Sequence, residues 1–256
     1  MKVYVIGAAN LDIFAQSANE MILHDSNIAH FKMSFGGVGR NIAENFVYLF
    51  DDVEFVTRFS NDHFGTILKN DCLKKGLKLD YALETNDENS SMYIAILDHD
   101  GDMLLGLNDM AIIESLNYCD IAFLKDIIKD DDILVLDANL SPDTLNAIAL
   151  NFKGYKVADA ISVSKVLRLK GIIEDLDLLK CNEIEAKELL SYDFKDAKDL
   201  KYILKRSKVP KEFVITHRYG AYVYYDQRLL TFRQKQLENK VVNATGAGDA
   251  FIATYA

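Results

Sequence analysis

Short β-rich apolar runs alternate with amphipathic stretches along this chain, and no other feature limits its fold as much. Val3–Ala8, Val53–Phe59, Ile133–Asp137, Lys156–Asp159 and Phe213–Thr216 read as strands. Gly39–Phe50, Phe64–Lys75, Thr144–Asn151, Glu183–Leu190 and Ala197–Ser207 read as helices. Strand, helix and strand in succession build βαβ units, which predicts an α/β fold with a mostly parallel sheet flanked by helices on both faces. Two regions break the rhythm. Residues 10–35 carry few long helical signals, and Met92–Asp98 and Met103–Leu107 flank His99-Asp100-Gly101-Asp102, a hairpin signal. Strands without crossover helices predict a small β lid, from segments about 10–35 and 90–108, over the carboxyl edge of the sheet where α/β folds bind ligands. No repeat or low-complexity linker interrupts the sequence, which predicts a single domain over residues 1–256.

Half of the residues are hydrophobic, enough to offset the entropy of ordering, which excludes a disordered chain. A formal net charge of -10 argues against nucleic acid as a partner, because binding phosphates calls for a basic face. The longest acidic run, Asp130-Asp131-Asp132, reads as a solvated turn before a strand. Cys72, Cys119 and Cys181 have neither a paired framework nor zinc spacing, and each reads as a small buried hydrophobe in a reducing compartment. His24, His30, His63, His99 and His217 show no metal spacing. Tyr222-Val223-Tyr224-Tyr225 reads as strand core and edge. No apolar stretch reaches the ~20 residues of a membrane-spanning helix, and Met1–Gly7 runs straight into a strand pattern. The expectation is a soluble, cytoplasmic protein without a membrane partner.

Three segments carry chemistry. In Asn243-Ala244-Thr245-Gly246-Ala247-Gly248-Asp249-Ala250-Phe251, two glycines let the backbone turn tightly where a helix begins, and free N–H groups at a positive helix end make an anion site. A carboxylate there would repel phosphate, but it makes sense if Asp249 takes a proton from an attacking hydroxyl while the amides hold a phosphoryl group. The other reading is a tight turn with Asp249 in the first turn of a helix. In Ser34-Phe35-Gly36-Gly37-Val38-Gly39-Arg40-Asn41, three glycines before an amphipathic helix allow close approach to a ligand, with Asn41 placed to bond a sugar diol; an ordinary turn before a helix is the alternative. Gly7-Ala8-Ala9-Asn10-Leu11-Asp12 puts two polar residues just past the first strand, as ligand groups or as turn formers.

Taken in order, Gly7-x-x-Asn10-x-Asp12, Gly36-Gly37-x-Gly39-x-Asn41, Asn182-x-x-Glu185 and Gly246-Ala247-Gly248-Asp249 resemble the ribokinase-like (PfkB) carbohydrate kinases, over essentially the whole chain. Within that family Gly36–Asn45, Asp100–Met103, Asn108–Ile112, Asp159–Lys165 and Leu179–Ala186 are most similar to the pseudouridine kinases. The resemblance implies a ribokinase-like fold and transfer of the γ-phosphate of ATP to a nucleoside 5′-hydroxyl, pseudouridine first among the candidates. It makes Asp249 the base and Gly246, Ala247 and Gly248, with Thr245, the anion hole for phosphate. Asn10, Asp12, Gly36, Gly37, Arg40 and Asn41 would grip the nucleoside. Lys165 falls where these kinases keep a substrate- or phosphate-facing lysine, or it faces solvent. Asn182 and Glu185 would arrange magnesium-bound water and phosphate, so ATP and Mg2+ are the implied cofactors, with Glu185 acting on the metal through water.

Three departures accompany the resemblance. The nucleotide loop reads Thr216-His217-Arg218-Tyr219-Gly220, one residue and one glycine short of the usual Thr-x-Gly-x-x-Gly. Asn243 stands where relatives that bind a monovalent cation often have Asp, leaving a potassium requirement open. Cys181 replaces the proline of a Lys-Pro-Asn run, removing only a rigid bend. The alternatives are a kinase for another nucleoside or sugar, and a non-catalytic nucleoside-binding protein. A dinucleotide oxidoreductase is disfavoured because the first βα turn lacks Gly-x-Gly-x-x-Gly. The resemblance further implies a homodimer through the lid. Relatives continue past the Asp249 helix with helices that wall the adenine site, so the chain is expected to be truncated there, with an incomplete adenine pocket.

Overall fold

A computed structural model describes residues 1–234 and 246–256. Strand β1 (Val3–Ile6) is followed by β2 (Asn10–Ser17), β3 (Ala29–Gly36) and helix α1 (Val38–Val47). Then come β4 (Val53–Val56), β5 (Arg58–Ser60), α2 (His63–Lys74), β6 (Leu83–Thr85), β7 (Met92–Leu97) and β8 (Met103–Asp109). Short helices α3 (Ala111–Glu114) and α4 (Tyr118–Ile121) lead to β9 (Ile133–Asp137), α5 (Pro142–Asn151), β10 (Tyr155–Asp159) and α6 (Val163–Val166). Next are β11 (Leu178–Asn182), α7 (Glu183–Leu190), α8 (Ala197–Leu204), β12 (Glu212–His217), β13 (Gly220–Tyr225), β14 (Arg228–Arg233) and α9 (Ala247–Tyr255).

The main sheet has the order β14-β13-β12-β11-β10-β9-β1-β4 and is parallel from β4 to β12, with β13 and β14 antiparallel at one edge. All of β1, β4 and β9 is buried, as strands covered on both faces must be. One apolar cluster gathers Tyr4, Leu134, Leu136 and Phe213, and a second gathers Val5, Phe46, Phe55 and Val135. Alternate residues of the same strands feed the two clusters, the two-sided burial of a doubly covered sheet.

The second region is one four-stranded sheet, order β3-β2-β7-β8. The hairpin read at His99–Asp102 forms, with Gly101 at φ +90 and the Asp98 carboxylate accepting from the N–H groups of Asp100 and Asp102. Residues 10–35 supply the antiparallel pair β2–β3, and β2 joins β7 in parallel.

Some expectations need correction. Val53–Phe59 is two strands: Thr57 turns its carbonyl to Leu83, so β4 pairs with β1 while β5 pairs with β6. Asp132 is not a solvated turn residue but buried, accepting from the N–H groups of Lys2 and Lys129. Cys119 is exposed, whereas Cys72 and Cys181 are buried as expected. Among the described residues no helix is long and apolar enough to cross a membrane.

Candidate active site

The carboxyl ends of β1 and β9 meet the start of α1 around one fully buried carboxylate. Asp137 Oδ2 accepts from Ala8 N at 2.7 Å and Gly39 N at 2.9 Å, and Oδ1 accepts from Asn139 N at 2.8 Å. Burial pushes this carboxyl up in pKa against those three bonds. The surrounding glycines follow from this packing. A Cβ on Gly7 would stand 2.4 Å from Asp137 Oδ2, and one on Gly39 would stand 2.8 Å from the Cα of Gly7. Gly37 caps α1 at φ +97, where a Cβ would lie 2.4 Å from the Ala8 carbonyl oxygen. The space beside Gly36 is filled by the Asp12 carboxylate, 2.2 Å from a Cβ there. The glycine run therefore permits close approach of protein to protein, and Gly36 also lines a cleft beside it.

That packing opens a cleft of about 970 Å³ between the smaller sheet and the helices. Asp12, Phe14 and Gln16 of β2 line it, with Lys32 and Ser34 of β3, Asn41 and Asn45 of α1, and Gly246 and Ala250 of α9. Asn10 donates its amide to Asp12 Oδ1, and burial raises the Asp12 carboxyl against that bond and the Arg40 charge. Asn41 Nδ2, at the cleft, donates to Asp249 Oδ2 at 2.9 Å. Arg40 does not line the cleft. Its buried guanidinium pairs with Glu44 at 2.7 Å and Asp71 at 2.6 Å and donates to Asn41 Oδ1 at 3.2 Å, so it positions Asn41 and ties α1 to α2.

Helix α9 starts at Gly246, whose φ of +78 is left-handed and beside which, among the described residues, a Cβ would meet nothing within 4 Å. The first-turn N–H groups of Ala247 and Gly248 have no intrahelical acceptor, the arrangement that receives an anion. Asp249 lies in that turn and is buried. Burial pushes its carboxyl up to about 6; Asn41 and Lys180 oppose the rise, and Asp159 and Asp137 add to it. Beneath the turn Lys180 Nζ stands 2.6 Å from where a Gly248 Cβ would be and pairs with Asp159 Oδ2 at 3.0 Å. Burial works against the Lys180 charge, but Asp159, Glu185 and Asp249 hold its pKa above the usual lysine value. Asp159 is itself held in a strained turn, its Oδ1 accepting from the N–H of Ile161 at φ 64, a conformation unusual for a β-branched residue.

Asn182 and Glu185 form a reciprocal capping box on α7: Asn182 Oδ1 accepts from Glu185 N at 2.9 Å, and Glu185 Oε2 accepts from Asn182 N at 2.7 Å. Glu185 is buried, which raises its carboxyl pKa. Thr216 sits level with Asn182 in the adjoining strand and donates its hydroxyl to the Cys181 carbonyl. Gly220 ends the short turn between β12 and β13, where a Cβ would strike the Phe232 carbonyl oxygen at 1.9 Å. Lys165 is not among the cleft residues; it turns to Asn139 Oδ1 at the end of β9, and burial lowers its pKa. Thr245 and Asn243 lie outside the described residues.

The structure thus brings Asp12, Asn41 and Gly246 to one cleft, with buried Asp249 bonded to Asn41 at its edge and Asn182 and Glu185 at the end of β11. Sequence reasoning missed Lys180, Asp159 and Asp137. Lys180 did leave a trace, a lysine inside an otherwise buried strand, which is rare unless its charge is paired. Among the described residues no group of three or more His, Cys, Asp or Glu side chains is placed to hold a metal ion.

The profile of the pfkB family carbohydrate kinases matches residues 1–256. The chain is 30% identical to the pseudouridine kinase of Escherichia coli (strain K12), over 98% of this chain and 81% of that protein. It is 25% identical to the guanosine-inosine kinase of Exiguobacterium acetylicum, over 98% of this chain and 85% of that protein. The Arabidopsis thaliana ribokinase, solved with ribose and ATP, superposes with a TM-score of 0.81 at 20% identity, covering 98% of this chain and 81% of the other, a likeness of fold.

Proposed function

The chain belongs to the pfkB family of carbohydrate kinases, with a ribokinase-like α/β fold, and we propose that it transfers the γ-phosphate of ATP to the 5′-hydroxyl of a nucleoside, pseudouridine before others. At the coarser level it is a nucleoside or sugar kinase, a phosphotransferase with an alcohol acceptor. The observation that carries this reading is the Asn41–Asp249 bond, which ties a buried carboxylate in the first turn of α9 to a side chain lining the cleft.

In this reading Asp12 and Asn41, with Asn10 behind Asp12, bind the ribose hydroxyls. Asp249 accepts the proton of the 5′-hydroxyl as it attacks, and the amides of Ala247 and Gly248 take the charge on the transferring phosphoryl group. Among the described residues a Cβ at Gly246 would meet nothing within 4 Å, and the first-turn amides have no intrahelical acceptor, which suits a phosphate chain. Lys180 adds a positive charge beneath that anion site. Phosphoryl transfer of this kind uses Mg2+, which keeps most of its waters and takes one or two carboxylates besides the substrate's phosphates. Glu185, whose charge interacts with the Lys180–Asp159 pair, would serve that water-mediated role. The smaller sheet acts as a lid that keeps water from the phosphoryl group. The face of that sheet opposite the cleft carries Met33, Leu105 and Leu107, each half exposed, and two copies pair through it.

The test is turnover of pseudouridine, uridine, inosine, guanosine and ribose with ATP and Mg2+, products identified as 5′-monophosphates by 31P NMR. The expected order puts pseudouridine first. Ribose turnover above pseudouridine turnover overturns the substrate, and nucleoside binding without any phosphorylation points to a binding protein.

A further inference from the structure

The carboxylate at the end of β9 is fully buried and does not line the cleft, yet two of the segments that do are fastened to it. We propose that Asp137 is a positioning residue for phosphoryl transfer: one of its oxygens holds the start of α1 against the end of β1, so that Asn41 meets both the sugar and Asp249. The proposal rests on the nucleoside-kinase reading for the sugar and for Asp249 as the catalytic base.

Asp137 Oδ2 is shared by Ala8 N and Gly39 N. Ala8 lies just before Asn10 and Asp12, and Gly39 just before Asn41. The exit of β1 and the entry to α1 therefore hang on a single atom from a third segment. Gly37, the cap residue of α1, has no side chain with which to accept from the first turn. A carboxylate from β9 takes that place, at the positive end of the helix. The Arg40 N–H, next in the turn, goes to the Ala8 carbonyl at 3.0 Å and closes the link between the two segments. Asn41 follows, its N–H bonded to the Gly37 carbonyl at 2.8 Å and its side chain extended to Asp249.

Each of these bonds to Asp137 comes from a donor, so the ionised carboxylate is the form the site accommodates. Burying that charge is costly, and two N–H groups on one oxygen at 2.7 and 2.9 Å are the charge-assisted bonds that offset it. The carboxylate is also fixed from behind. Asn139, whose N–H reaches Oδ1, accepts from Lys165 through its side chain, and Arg168 donates to its carbonyl at 2.8 Å while pairing with Glu114. A chain of paired groups thus runs from α3 to Asp137, and Asp137 passes that fixed position to the helix that carries Asn41.

A double-mutant cycle of Asp137→Asn with Asn41→Ala tests this. It reads nucleoside affinity by isothermal titration without ATP, and kcat, KM for the nucleoside and KM for ATP in the complete reaction. Asp137→Asn keeps the shape of the side chain but turns an NH2 towards N–H groups. It is expected to lower kcat/KM for the nucleoside by about tenfold to 100-fold, the loss from a charged hydrogen bond and a misplaced reacting group. Nucleoside affinity weakens with it, while KM for ATP, whose contacts lie on other elements, stays native. In the Asn41→Ala background the same change is expected to cost about threefold or less, because the residue through which it acts is gone. Equal costs in both backgrounds, ATP and nucleoside weakened together, or native kinetics in Asp137→Asn overturns the proposal. Asp137→Ser, which leaves room for a water at the freed N–H groups, takes the place of the amide variant if that one does not fold. Failure of the kinase reading shows in native protein instead, as nucleoside bound without phosphorylation, and the affinity arm of the cycle then still decides whether Asp137 acts through Asn41. Native protein that binds no nucleoside overturns both.

Discussion

The Asp249 carboxylate links chemistry and stability in opposite directions. As the proposed base it must be ionised, and with its pKa pushed up to about 6 by burial, kcat/KM is expected to rise as pH increases through about 6 and level off above. A pH–rate profile flat from pH 5 to 8 contradicts the assignment. Asp249→Asn should lower kcat by about 100-fold or more, a typical loss for a general base, while nucleoside affinity stays within a few-fold. Stability runs the other way. An unfolded carboxyl ionises near pH 3.9, so the folded state holds this proton more tightly. Its contribution is complete below about pH 4 and is lost as pH rises through 6. A shift of about two units corresponds to roughly 3 kcal/mol of penalty at neutral pH. Asp249→Asn is therefore expected to melt above the native protein at pH 8, with the gap closing towards pH 4, as read by thermal denaturation. A variant that lost activity by unfolding would melt lower.

Two helix starts show how elements carry the site. Asn182 caps α7, so Asn182→Ala should cost about 1 kcal/mol, whereas Asn182→Ser keeps a hydroxyl acceptor and nearly all of the stability. If the residue also serves phosphate and metal, both variants lose turnover and need more Mg2+ for half-maximal rate. Turnover that tracks stability alone would leave Asn182 a cap and nothing else. At α1, Gly37→Ala is expected to lower stability by about 2 kcal/mol or more in a urea titration, because the left-handed backbone and the Ala8 carbonyl both resist a Cβ. These starts were legible in the sequence because their signals are local: Asn182 and Glu185 lie three apart, and Gly37 adjoins its helix. Why the glycines are there was not legible, since the atoms they accommodate belong to Asp12, Ala8 and Asp137. The same distance hid the break at Thr57, which depends on Leu83, and hid β11, where Lys180 interrupts an apolar run to meet Asp159.

At the scale of the molecule, the alternation of strands and helices announced the parallel sheet, and the Asp-Gly turn announced β7–β8. The parallel joining of β2 to β7 did not show, because such contacts have no sequence spacing of their own. That joining creates a broad sheet with two unlike faces. One carries Asp12, Phe14 and Gln16 towards the cleft; the other carries Ile13, Met33, Ile94, Ile96, Leu105 and Leu107, which pair across the strands in register. Apolar side chains half exposed on a sheet face lose little by pairing with a second copy and remove considerable surface from water. A two-fold contact of this kind would also hold each sheet at a fixed angle over its own cleft, coupling assembly to substrate closure. Sedimentation velocity at tens of micromolar protein is expected to give twice the 28.9 kDa chain mass. Leu105→Lys combined with Leu107→Lys should return it to the single-chain mass with KM for the nucleoside raised and the far-UV spectrum unchanged. A native protein that sediments as one chain would remove the pairing, and a monomeric variant with native KM would separate assembly from closure.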